Sequence, residues 1–249
     1  MIELKTAEEL DHMRRAGRIV AKLLEFLAAR ISPGIKTKEL DQAARTFIQD
    51  HHAQPAFLGY RGFPATVCVS INEEVVHGIP GERVIRDGDI VSIDAGVKVD
   101  GYYSDAALTV PVGSVPPRVA QLIETTKTSL ERAIELAQPT NRLSDLSHAV
   151  QETVEREGFG IVRDFVGHGI GRALHEDPPI PNYGVPDRGP RLKPGMVLAI
   201  EPMVTMGAWD VKVLADGWTA VTKDGSLAAH FEHTVAITDR GPEILTKLV

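Results

Sequence analysis

The sequence has a single cysteine, Cys68. A lone thiol makes no internal disulfide, and it excludes the sulfur-rich sites that hold structural zinc. Basic charge is also short. Against 34 Asp and Glu stand 27 Lys and Arg, leaving a formal net charge of −7. A general nucleic-acid binder needs a basic face, so no specific nucleic-acid partner is expected. No apolar run approaches the roughly 18 residues of a membrane helix, and no membrane partner is expected. Met1 to Lys5 lacks the layout of a signal peptide, which predicts a cytoplasmic protein. What remains is ordinary globular material. Hydrophobic residues make up 43% of 249 and charged residues 24%, and the length suits one large domain or two small ones with a sizeable core.

Thr6 and Glu9 form a capping-box pattern ahead of a long helical period. Leu10, Met13, Ala16, Val20, Leu24 and Leu27 mark its apolar face, and Ser32-Pro33-Gly34 ends it. A second helix is predicted from Thr37. Residues 55–112 then change to strands and turns, best at Thr66 to Ile71, Ile90 to Asp94 and Tyr102 to Val110. The cycle repeats. Pro116 and Pro117 open a helix, another runs from Leu143 to Glu157, and strand texture returns at 197–201, 211–222 and 230–238. Two helices followed by strands, twice over, predict an α+β fold. They also suggest pseudo-repeat halves, about 1–112 and 113–249, packed into one body with a cleft between.

Asp100-Gly101 is a strong hairpin turn. With it at the tip, Asp94 faces Ala107 and Asp105 faces Gly96, so both aspartates share one sheet face. They become diagonal neighbours at roughly 7–8 Å, a repulsive arrangement without a cation. A second cluster runs Phe165-Val-Gly-His168-Gly-Ile-Gly-Arg-Ala-Leu-His175. Its glycines let the backbone approach whatever His168 binds. His175 is too far along an extended chain to join it unless the glycines fold the loop back. Glu201 follows the apolar run Leu198-Ala199-Ile200, and Glu232 sits between Phe231 and His233. A buried glutamate needs a partner or a ligated ion. His77 stands at a strand-to-turn junction, where a lone histidine is ordinarily structural. Asp94, Asp105, Glu201, Glu232 and His168 together make a ligand set of hard oxygens plus one imidazole. That set suits paired divalent first-row metals. Four carboxylates balance two divalent ions, and shared carboxylates bridge metals about 3.5–4 Å apart.

The order Asp94, Asp105, Gly-His168-Gly-Ile-Gly, Ile-Glu201-Pro, Phe-Glu232-His-Thr resembles the signature of the methionine aminopeptidases. The wider group is the pita-bread metallohydrolases, which include prolidase, aminopeptidase P and creatinase. The resemblance runs from Thr6 to Thr246. The stretch Leu58 to Pro64, then Val67 to Glu73, then His77-Gly78-Ile79-Pro80, is similar to the type I branch. Glu201 and Glu232 are 31 residues apart, too close for the helical insertion of type II. The early first helix and the single cysteine match the short bacterial form, without a zinc-finger extension.

The resemblance implies a pita-bread fold and removal of the initiator methionine from nascent polypeptides when the next residue is small. It implies two divalent ions, of Co, Mn, Fe or Zn, with a bridging hydroxide. Asp94 would chelate one ion, Asp105 and Glu232 would bridge both, and His168 and Glu201 would complete the other. Glu201 would also shuttle the proton to the leaving amine. His175 would stabilise the oxyanion, and His77 would touch the scissile amide nitrogen. Tyr60, Phe63, Cys68, Leu174 and Trp218 would form the methionine pocket, although many relatives carry a tyrosine at position 63 and an aromatic at position 174. Transient ribosome association and a monomeric state are further expectations. The competing readings are an Xaa-Pro peptidase on the same fold and a non-catalytic relative. The second would have lost ligands, and all five are present.

Overall fold

The computed structural model describes residues 1–247. The last positions of the expected 1–249 domain, Leu248 and Val249, lie outside the described residues. Helix α1 spans Ala7–Ala28, and the Thr6–Glu9 capping box closes its amino end in both directions. Helix α2 spans Thr37–Asp50. Helix α3, Pro117–Glu135, opens with proline at its first turn, where no amide donor is needed. Helix α4 spans Leu143–Arg156.

A nine-stranded sheet draws strands from the segments that follow each helix pair in sequence, and it carries the site. Its long hairpin is Ile90–Val99 with Tyr102–Pro111, turning at Asp100-Gly101. The pairing sets Asp94 opposite Ala107 and Gly96 opposite Asp105, as the turn requires. Outward from Tyr102–Pro111 come Glu232–Thr238, Val197–Ile200, Gly167–Gly169 and Glu176–Ile180, every neighbour antiparallel. One apolar cluster joins α1 and α2 to the sheet through Leu23, Leu27, Leu40, Ile71 and Ile93. Another joins α3 and α4 to it through Leu122, Leu130, Leu146, Leu198 and Val235.

Four expectations need correction. The strand expected from Thr66 begins at Cys68, because Asp41 takes the Thr66 and Val67 amides. The 211–222 region is two short strands, Val211–Val213 and Ala220–Thr222, separated by a turn that Asp216 ties to Trp218 and Thr219. The 230–238 region divides at Phe231, so Ala228–His230 joins a separate sheet through Met203–Thr205. The glycine-rich segment around His168 is a sheet strand rather than a free loop.

Gly17 shows how closely α1 lies on the carboxy-terminal end. A β-carbon there would overlap the Leu245 carbonyl, which is backbone and cannot swing aside. Gly17→Ala is expected to cost about 1–3 kcal/mol of stability, the range for an overpacked core. A lowered urea midpoint at an unchanged m-value would record it.

Candidate metal centre and active site

Five adjacent strands deliver one candidate ligand each. Asp94, Asp105, Glu232, Glu201 and His168 belong, in sheet order, to the strands or strand ends at 90–99, 102–111, 232–238, 197–200 and 167–169. Pairing brings them level. Ala107 faces both Asp94 and Glu232, while Ala199 faces both His168 and Thr234. Thr234 secures Asp105 where the ladder ends: its hydroxyl accepts from the Asp105 amide at 2.9 Å and donates to the Asp105 carbonyl at 2.7 Å.

The glycines beside His168 have a different role from the one expected. A β-carbon at Gly167 would strike the Ala199 carbonyl, and one at Gly169 the Asp177 carbonyl. They make room for neighbouring strands, not for a ligand. The segment does fold back, since Gly167–Gly169 pairs with Glu176–Ile180. His168 and His175 thereby meet with ring centroids 4.1 Å apart.

Ligand atoms of Asp105, His168 and Glu232 lie within 4.8 Å of one another, and all three residues are buried. His168 Nδ1 donates to the Gly169 carbonyl at 2.9 Å, which leaves the Nε2 lone pair free for a cation. Asp94 Oδ1, Asp105 Oδ1 and Glu232 Oε1 are buried with no hydrogen-bond partner. Such atoms are costly unless something cationic meets them. Burial, then neighbouring carboxylates, pushes the Asp94 and Glu232 carboxyls well above the usual range. Burial and then Asp105 do the same to Glu201, and burial raises Asp105 itself to about 7. The donor set therefore fits divalent metal.

The remaining candidates line the same cleft, which encloses about 650 Å³ including its open mouth. His175 stands at the mouth. Its Nδ1 is 2.9 Å from the Tyr60 hydroxyl, and the two rings stack at 5.3 Å. The protein around it, then His168, Arg61 and His77, lower its pKa to about 3, so its ring is neutral near pH 7. His77 has φ 60° and sets its ring edge-on to Phe165 and Trp218. Burial holds it below the ordinary imidazole range. Phe63, Cys68 and Leu174 are buried in the wall, and Phe63 meets Trp218 edge-on at 5.1 Å.

Four residues of this neighbourhood escaped sequence reasoning. Phe57 and Arg61 also line the cleft. Thr234 and His230 support it from behind. His230 is 2% exposed, and its Nε2 is 3.9 Å from Glu201 Oε2. Strand alternation puts 230 on the face of 232 and could have pointed to it. Arg61 and Thr234 stand inside the quoted motifs with no role assigned to them, and nothing local marks Phe57.

Residues 11–239 match metallopeptidase family M24. The chain belongs to that family. Within it, this M24 hydrolase is similar to the methionine aminopeptidases. It is 58% identical to methionine aminopeptidase 1 of Bacillus subtilis (strain 168), covering 100% of both chains. It is 55% identical to the methionine aminopeptidase of Clostridium perfringens (strain 13 / Type A), over 99% of each. The crystal structure of methionine aminopeptidase from Thermotoga maritima matches with a TM-score of 0.98 at 50% identity, 100% of each chain being covered. Prolidase from Pyrococcus furiosus matches at 0.81 and 26% identity, and the M24 hydrolase covers 66% of it. The pita-bread fold expected from the sequence is the fold of these relatives. No helix among the described residues is long and apolar enough to cross a membrane.

Proposed function

We propose that this M24 hydrolase removes the amino-terminal methionine from nascent polypeptides whose second residue is small. One observation carries the metal part of this reading: ligand atoms of buried Asp105, Glu232 and His168 lie within 4.8 Å of one another, and both acids, like Asp94, keep a buried carboxylate oxygen without a partner. Asp94, Asp105, His168, Glu201 and Glu232 would hold two divalent ions. When bound, such ions polarise a carbonyl and acidify water toward neutral pH. The chain's own groups do the rest. Glu201 accepts a proton and returns it to the leaving amine. His175, neutral and with Nδ1 engaged by Tyr60, presents Nε2 to the developing oxyanion. His77 contacts the scissile amide nitrogen. Tyr60, Phe63, Cys68, Leu174 and Trp218 hold the thioether side chain.

The same reading takes residues 1–249 as one catalytic domain with halves at about 1–112 and 113–249. In support, one apolar cluster draws only on residues 16–112 and another almost wholly on 119–237. The enzyme would act as a cytoplasmic monomer that associates transiently with ribosomes.

Hydrolysis of methionyl-alanyl-serine, with no turnover of an alanyl-proline peptide, is the expected result for the metal-loaded protein. Cleavage of the second peptide alone would instead identify an Xaa-Pro peptidase. Metal analysis of protein purified without added metal identifies the ions. The pocket assignment has its own test. Trp218→Ala is expected to lower kcat/KM for methionyl peptides about 10- to 100-fold, the worth of one hydrophobic wall. Most of that loss should fall on KM. An unchanged kcat/KM would remove Trp218 from the pocket.

A further inference from the structure

The amino-terminal arm ends on a buried cation. The Lys5 side chain is 2% exposed, and its Nζ lies 2.6 Å from Glu176 Oε2. Glu3, 65% exposed, adds an outer contact at 3.3 Å. The Lys5 amide donates to the Gly195 carbonyl at 2.7 Å, so the arm is anchored by backbone as well. Glu176 uses its other oxygen, Oε1, to accept from the Ala173 amide at 3.1 Å. Its carboxylate therefore joins the arm to the turn that carries Leu174 and His175. The turn is closed by Gly171 N–H donating to the Ala173 carbonyl, and it meets the hairpin through Tyr103 N–H donating to the Gly171 carbonyl. A β-carbon at Gly171 would overlap the Lys5 ammonium end, which would have to shift to admit it.

A buried ion pair is a poor device for stability alone, since desolvation offsets most of the attraction. This one stands one residue from His175. His175 is itself exposed at the cleft mouth, so little packing fixes its ring beyond Tyr60 and His168. The direction of its Nε2 then depends on how firmly its backbone is held. The carboxylate of Glu176 is the nearest side-chain anchor on that backbone, and Lys5 fixes the carboxylate.

We propose that Lys5 is a positioning residue for His175: the buried Lys5–Glu176 pair ties the amino-terminal arm to the turn bearing His175 and fixes the imidazole over the cleft. The proposal rests on the oxyanion role assigned to His175 above. Lys5 touches no substrate in this scheme. It acts through Glu176 and the intervening backbone.

The test is a double-mutant cycle on methionyl-alanyl-serine at saturating metal. Lys5→Met keeps the length and apolar stem of the side chain and removes its charge. We expect kcat to fall about 10- to 100-fold, as for a displaced catalytic group, with KM and calorimetric metal affinity little changed. In a His175→Ala background the same substitution should cost less than about twofold more, because the group it positions is gone. Should Lys5→Met fold poorly, the pair Lys5→Met with Glu176→Gln leaves no uncompensated charge and carries the same comparison. An equal loss with and without His175 would mean a general structural role and would overturn the proposal, as would an unchanged kcat. Full activity of His175→Ala alone would instead overturn the oxyanion role.

Discussion

Glu201→Gln is expected to lower kcat for a methionyl peptide by about 10²–10⁴-fold, the range associated with a lost general acid–base group. Glutamine keeps the shape and one oxygen but cannot carry a proton between water and amine. The surroundings tolerate the exchange. Asn182 holds Glu201 through its backbone carbonyl, at 2.9 Å, and that bond does not depend on the side chain. The carboxylate faces two neutral imidazoles, with Oε1 3.5 Å from His168 Nε2 and Oε2 3.9 Å from His230 Nε2. Burial lowers the pKa of His168 to about 4 and that of His230 to about 3. Neither can substitute as the proton donor near pH 7. Because Glu201 is also a proposed ligand, calorimetry must accompany the kinetics. A variant that binds metal and turns over at the normal rate excludes the shuttle role.

Chelation is the second large effect. Removing the metal is expected to abolish turnover and to uncover the repulsion built into the sheet. At free metal about 100 times Kd, bound ion contributes about 2.7 kcal/mol, or about 5–10 °C in Tm for a chain of this size. The metal-free protein has a pH signature as well. Burial raises Asp105 from 3.8 to about 7. Between those values the folded state keeps a proton that the unfolded chain has released. Stability from this group is thus full below about pH 4 and is lost as pH rises toward 7. With metal the proton is displaced, and binding strengthens as pH rises. Asp105→Asn separates the states: it raises the urea midpoint of chelated protein near pH 7 and lowers that of metal-saturated protein. A change of the same sign in both conditions would show that Asp105 does not face the ion.

Much of this was legible because it depends on local rules. The Asp100-Gly101 turn sets the hairpin register, and the register puts Asp94 and Asp105 on one face. Thr6 and Glu9 announce the first helix without help from the rest of the chain. What escaped depends on distant pairing. His175 reaches His168 only because Gly169 pairs with Glu176. Thr234 is 129 residues from Asp105, and Lys5 is 171 from Glu176. No periodicity spans such intervals. The break at Phe231 was hidden because the residues on both sides suit strands equally, and only the two partner sheets divide them.

With one candidate ligand per strand over five adjacent strands, the proposed metal site would make the ion a proofreader of the sheet. Side chains alternate between faces, so a slip of one residue in any strand turns its ligand away from the cleft. A misregistered chain could bury its apolar residues and still lack one vertex of the coordination set. Tight metal uptake then reports the correct alignment of strands that lie more than a hundred residues apart in the chain. Loading with metal would then be a final checkpoint of assembly, passed only by molecules in which all five alignments are right together.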